Sequence, residues 1–173
     1  AEGMTQKQTG RPLGIYIHIP FCRSKCEYCD FYSIAGGRDR DSMERYTDAV
    51  IAHLREAAAR AGSYSVDTIY FGGGTPSDLA PQEMELLLGI LRNRYPLAND
   101  CEITLESRLN GLSDRKIDTA IANGVNRFSL GVQTFDTELR RRLGRVSDRE
   151  TVLETLGRLT ARNQASVAVD LLY

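Results

Sequence analysis

Short runs of β-branched and aromatic residues alternate along this chain with longer amphipathic runs, and that alternation leaves few architectures open to it. The short runs cover 14–19, 66–71, 102–106, 127–132 and 167–172, and the longer ones 42–61, 81–94, 113–123, 136–143 and 149–163. Within 42–61, Met43, Tyr46, Ala49, Val50, His53, Leu54 and Ala57 recur at three- and four-residue steps, which marks one face of a helix. His53 is the polar member of that stripe, and a place in the core is expected for it. Pro81 stands where a first helical residue needs no N–H, Ser113 opens 113–123, and Asn123-Gly124 supplies a left-handed stop. Five strands separated by helices predict an α/β fold with a parallel sheet, because parallel neighbours need long crossovers. Whether such a sheet stays open or curls toward a barrel, functional groups gather at the C-terminal ends of its strands.

Three of the four cysteines follow the first predicted strand directly, as Cys22-x3-Cys26-x2-Cys29. A cubane iron–sulfur cluster normally takes four thiolates. Three on one loop would leave an iron open to an outside ligand, and an open iron can do chemistry. A disulfide framework would strand one of the three, and zinc would want a fourth ligand close by. His18 lies four residues upstream of Cys22, on the strand. Cys101 precedes an apolar strand far along the chain and reads as a small buried hydrophobe. The second strand ends in Gly72-Gly73-Gly74-Thr75-Pro76, which reads either as a tight turn or as backbone brought close to a ligand. It is not a phosphate-binding P-loop, since no Gly-Lys-Ser/Thr follows. Glu106 with Arg108, then Gln133, then Asp170 fall at the ends of the remaining strands, as a ligand-binding rim would require.

The formal net charge of −1 gives no general attraction to nucleic acid, and no apolar run reaches the ~20 residues of a membrane helix. Residues 1–13 are polar, lack the apolar stretch of a secretion signal, and read as a flexible segment ahead of the core domain, 14–173. A reducing, cytoplasmic setting follows from these features. The last residues, Val167 to Tyr173, read as a buried strand with nothing after it. The expectation is therefore an N-terminal piece of a longer domain.

Taken together, Cys22-x3-Cys26-x2-Cys29 after a strand and Gly72-Gly73-Gly74-Thr75-Pro76 resemble the radical S-adenosylmethionine (SAM) superfamily. The frame Tyr16-Ile17-His18-Ile19-Pro20-Phe21-Cys22 is similar to its HemN-like branch. The segments 126–135 and 169–173 match that branch as well, so the resemblance runs from about Leu13 onward. It implies a partial (β/α)6 barrel, with five of the six strands present and the usual C-terminal domain missing. It implies a 4Fe–4S cluster on Cys22, Cys26 and Cys29, and SAM chelating the unique iron to yield a 5′-deoxyadenosyl radical. It further implies SAM contacts from Tyr28, Gly73, Gly74, Thr75, Glu106, Gln133, Arg145 and Asp170. Tyr16 would lie near the cluster and a second SAM. On this view the glycines form a ligand cradle that a branched side chain at Gly73 would fill.

Within the branch, Phe31 stands where porphyrinogen-decarboxylating relatives carry a fourth cysteine. The turn Glu106-Ser107-Arg108 resembles the anaerobic haem-degrading ChuW/HutW methyltransferases, whereas Cys29-Asp30-Phe31 and Ser33 resemble the HemW haem chaperones. The resemblance therefore implies, first, a radical SAM C-methyltransferase that opens haem to a linear tetrapyrrole and releases iron. The alternatives are a haem chaperone, an oxygen-independent coproporphyrinogen III dehydrogenase, or a methyltransferase acting on a non-porphyrin substrate. Haem or another tetrapyrrole and a low-potential electron donor such as flavodoxin are the implied partners.

Overall fold

A computed structural model of the chain describes residues 10–35 and 39–172. Strand β1 (Arg11–Ile19) leads into a two-residue strand β2 (Phe21–Cys22), which pairs in parallel with β3 (Ile34–Ala35). There follow α1 (Arg40–Ala58), β4 (Tyr64–Gly73), α2 (Pro81–Arg94), β5 (Leu97–Ser107), α3 (Asp114–Ala122) and β6 (Arg127–Gln133). Helices α4 (Thr137–Arg142) and α5 (Arg149–Ala161) then lead to β7 (Ser166–Leu171).

The five long strands form one parallel sheet in the order β1-β4-β5-β6-β7. Strand order therefore follows chain order without reversal. Right-handed crossovers taken always in one direction place every connecting helix on the same face of the sheet. The covered face holds the core: Ile17, Ile19, Ile69, Phe71, Ile103, Leu105, Phe128, Leu130 and Val132 are all buried. They pack in one cluster with Leu54, Leu87, Leu88, Leu91, Ile117, Val152 and Leu159 of the helices. The intervening positions, pointing to the other face, include Tyr16, His18, Tyr70, Thr104, Glu106, Ser129, Gly131 and Asp170. Parallel sheets are usually covered on both sides and read as continuous apolar runs. Here one face is polar.

The helices start and stop where local chemistry directs. Asp39, Ser113, Asp136 and Asp148 cap α1, α3, α4 and α5 by accepting backbone N–H groups of their first turns. Pro81 opens α2, and the Glu83 carboxylate accepts the Ala80 N–H at 2.7 Å. Gly124, at φ +102°, ends the α3 turn.

Three expectations need correction. The first strand begins at Arg11, not Gly14, with Arg11, Pro12 and Leu13 paired to Tyr64, Ser65 and Val66, so this part of the expected flexible segment belongs to the sheet. Its polar start hid it, and Pro12 is tolerated because β1 is an edge strand. Residues 1–9 and Tyr173 lie outside the described residues. The third strand starts at Leu97, ahead of the predicted run, since Asn99 and Asp100 break the apolar pattern there. His53 is exposed. The face that α1 buries is Thr47, Ile51 and Leu54. Among the described residues no helix is long and apolar enough to cross a membrane.

Candidate functional site

The cysteine loop is rooted by backbone. After β1, the Ile34 N–H donates to the Pro20 carbonyl at 2.7 Å, and the β2–β3 pairing closes 23–33 into an excursion carrying Cys26 and Cys29. A turn between those two is held by the Cys29 N–H on the Cys26 carbonyl at 3.0 Å. Arg23 ties the loop to the short 3-10 turn after β4 (Pro76–Asp78) through Asp78, Nε to Oδ1 at 3.2 Å. Cys22 Sγ lies 3.4 Å from the buried Thr75 hydroxyl. All three loop cysteines are free thiols, neither fully buried nor fully exposed. They line one cavity together with every other predicted site residue except Tyr16.

The glycines of 72–74 have an immediate packing reason. A Cβ on Gly72 would meet the rings of Tyr16 and Tyr70 at 2.9 Å. One on Gly73, at φ +114°, would stand 2.6 Å from the His18 ring, and one on Gly74 would reach the Phe21 carbonyl oxygen at 2.5 Å. The Gly74 N–H donates to the Ile19 carbonyl at 2.7 Å. The triplet lets the end of β4 press against β1 and the root of the cysteine loop. Gly73 and Gly74 also line the cavity, and a side chain at Gly73 would meet the His18 ring behind it, so packing alone already calls for glycine there.

Glu106 faces the cavity with both oxygens engaged: Oε1 accepts from the Tyr70 hydroxyl at 2.8 Å and Oε2 from the Gly73 N–H at 3.1 Å. Burial, and then the Glu106 carboxylate, push the Tyr70 hydroxyl far above the ordinary tyrosine range. Tyr70 therefore stays a donor at any physiological pH. Tyr16 stacks on Tyr70, centroids 6.0 Å apart and planes at 19°, and its hydroxyl meets His18 Nδ1 at 3.2 Å. It does not line the cavity and is 56% exposed. Structure thus separates Tyr16 from the other predicted residues.

At the end of β6, Gln133 adopts φ +66° and is buried, with its Oε1 lacking any hydrogen-bond partner. Arg140, 1% exposed, holds that conformation. Its guanidinium donates to the carbonyls of Val132 and Thr134, which flank Gln133, and to that of Ser147 at 2.6 Å. Burial, with Arg145 nearby, moves Arg140 below the usual arginine range. Ser129 Oγ donates to both Asp170 oxygens, at 3.2 and 3.3 Å. Arg145 closes the rim by donating to the Tyr28 hydroxyl, Nε to Oη 2.9 Å, and its guanidinium carbon lies 5.6 Å from the centroid of that ring. Burial raises the Tyr28 hydroxyl pKa against the opposing pull of Arg145.

The donor set fits a multi-iron cluster better than a lone ion. Among the described residues no three His, Cys, Asp or Glu side chains converge on one point, yet three thiols share a cavity, as one thiolate per iron demands. A polar organic ligand fits beside them, since buried polar atoms normally have partners and the Gln133 amide oxygen awaits one. Tyr70, Ser129, Ser107 and Arg108 also belong to this site. Simple alternation would have found Ser129, four residues before Gln133 on the same strand. Arg140 carried no such signal, standing among Arg141 and Arg142 in a short helix.

Comparison with known proteins agrees with this architecture. The sequence model of the radical SAM superfamily matches residues 16–172. The chain is similar to an anaerobilin synthase of Escherichia coli O157:H7, 37% identical over 99% of this chain and 39% of that protein. It is also similar to the heme chaperone HemW of Escherichia coli K12, 44% identical over 78% of this chain and 35% of that one. The solved structure of coproporphyrinogen III oxidase (HemN) from Escherichia coli superposes with a TM-score of 0.87 at 30% identity, covering 97% of this chain and 38% of its own. The fold is thus a partial (β/α) barrel of that type. The chain spans about two fifths of the length of these relatives.

Proposed function

The chain belongs to the radical SAM superfamily, in its HemN-like branch, and from that premise we propose that it is the cofactor-binding part of an enzyme that opens haem without oxygen by SAM-dependent C-methylation. The product would be a linear tetrapyrrole, with the iron released. The superfamily's cofactors, a 4Fe–4S cluster and SAM, are those of this chain. When bound, the pair supplies one-electron cleavage of a sulfonium carbon–sulfur bond.

The residues have separate tasks. Cys22, Cys26 and Cys29 would hold the cluster, on a loop pinned by Arg23 to Asp78 and by the β2–β3 pairing. Glu106 would receive the ammonium of the methionyl group, its carboxylate already oriented by Tyr70 and the Gly73 N–H. Gln133 presents a free amide oxygen to ligand hydroxyl or amine donors, and Asp170, steadied by Ser129, offers a second acceptor. Tyr28 gives an aromatic edge beside the thiols, braced by Arg145. Tyr16, stacked on Tyr70, would face a ligand on the far side of His18. A low-potential donor such as flavodoxin would supply the electron, in the reducing cytoplasm.

The observation that favours haem opening over a haem chaperone is the segment Glu106-Ser107-Arg108 at the end of β5. Phe31 in the fourth-cysteine position favours it over porphyrinogen decarboxylation, and the likeness to an anaerobilin synthase runs through 99% of the chain. The likeness to a haem chaperone, at 44% identity, favours a second reading in which haem is carried and not consumed.

Anaerobic incubation of the protein with haem, SAM and a low-potential reductant separates them. The first reading expects the haem absorbance to fall and a methylated linear tetrapyrrole to form. An unchanged haem spectrum in the presence of a reconstituted cluster contradicts it, and transfer of intact haem to an acceptor favours the chaperone.

A further inference from the structure

Two cations that line the cavity, Lys25 and Arg108, are left unused by the roles above; Lys25 is exposed on the cysteine loop, whereas Arg108 is partly buried. It follows β5 by one residue, its backbone N–H is fixed on Ser77 Oγ at 3.3 Å, and its side chain lines the same cavity as the three thiols. Its Nη1 is buried and has no hydrogen-bond partner. The ion pairs formed among the described residues do not include it. The acids within the cavity are committed elsewhere: Glu106 to Tyr70 and Gly73, Asp170 to Ser129. The second guanidinium on the rim, that of Arg145, is turned onto the Tyr28 hydroxyl. A partly buried guanidinium without an acid partner is unfavourable unless something completes it, and its planar fork matches a carboxylate.

We propose that Arg108 is the carboxylate-binding residue of this cavity, receiving an acid group of a bound ligand on the donor that no protein acid occupies. A singly charged carboxylate suits the site. A phosphate would bring two negative charges against Glu106 and Asp170 in the same small space. The inference rests on the cofactor reading, and two ligands offer the same chemistry there: the α-carboxylate of SAM and an acid side chain of the tetrapyrrole.

Binding to the anaerobically reconstituted protein tests it without reference to turnover. Calorimetry would compare SAM with 5′-methylthioadenosine, which lacks the amino-acid group, and haem with haem dimethyl ester. In Arg108→Gln, one of the two carboxylate-bearing ligands weakens by roughly tenfold or more, while its carboxylate-free counterpart binds as before. Arg108→Lys recovers part of that loss. A loss in the SAM pair assigns the acid to the cofactor, and a loss in the haem pair assigns it to the substrate. Iron content and cluster absorbance equal to wild type show that the variants are folded. Unchanged affinity for both acids in Arg108→Gln, or equal loss for acid and acid-free ligands, overturns the inference alone. Failure of the wild type to bind SAM removes the cofactor reading, and the inference with it.

Discussion

Phe128 and Ser129 are neighbours on one strand and belong to different parts of the molecule. Phe128 is fully buried among the helices, whereas Ser129 points to the uncovered face and holds Asp170. The same division runs across the whole sheet. On one face isoleucine, leucine, valine and phenylalanine supply the cohesion; on the other, tyrosine, glutamate, serine and aspartate hold one another by directed hydrogen bonds. One strand order explains both, since helices all on one side leave the second face for a ligand. Stability and chemistry are thereby separated by a single residue step, and substitutions can be aimed at either.

The largest effect tests the cysteines of the two environments. Cys26→Ala should lose most of the bound iron and all SAM-dependent activity, and Cys101→Ala neither, as read by iron content after anaerobic reconstitution. Equal loss in both would mean the ligand assignment is wrong. Next come the paired substitutions on β6. Phe128→Ala should destabilise the fold by ~3–5 kcal/mol. Ser129→Ala should lose only about 0.5–1.5 kcal/mol yet weaken SAM binding. Chemical denaturation and calorimetry on both variants would expose any mixing of the two faces. Gly73→Val should lower the thermal midpoint and iron loading together, because its Cβ meets His18 at 2.6 Å. Gly89→Ala, with no atom within 4 Å of the added Cβ, should raise stability by roughly 0.5–1 kcal/mol. A Gly73→Val protein of normal stability and iron content, impaired only in SAM binding, would favour the cradle explanation over packing. The smallest effect is one of reactivity. Burial, helped by Asp67, Asp100 and Glu102, pushes the Cys101 thiol up to about 11. It should thus carry roughly a hundredfold less thiolate than an ordinary cysteine near neutral pH and be the last alkylated, which peptide mapping would show.

Much of this was legible in the sequence because its signals were local. Strand runs, helix caps and the Cys22-x3-Cys26-x2-Cys29 spacing each depend on neighbours within a few residues, and the structure gathers nearly all the predicted site residues into one cavity. What escaped depends on partners distant in the chain. The His18 ring packed behind Gly73 is invisible from sequence. That Tyr16 stacks on Tyr70, which bonds Glu106, is likewise invisible from spacing. Burial of Arg140 follows from three carbonyls meeting at one point, which no spacing rule announces. Arg11 to Leu13 pair as an edge strand without apolar alternation.

The central claim is that three thiols on one loop hold a cluster whose fourth corner takes a sulfonium cofactor. Electron paramagnetic resonance of the reconstituted, reduced protein addresses it directly. A cubane signal that shifts on adding SAM, and that is absent in Cys26→Ala, is the expected result. No cubane signal, or one indifferent to SAM, would contradict the account.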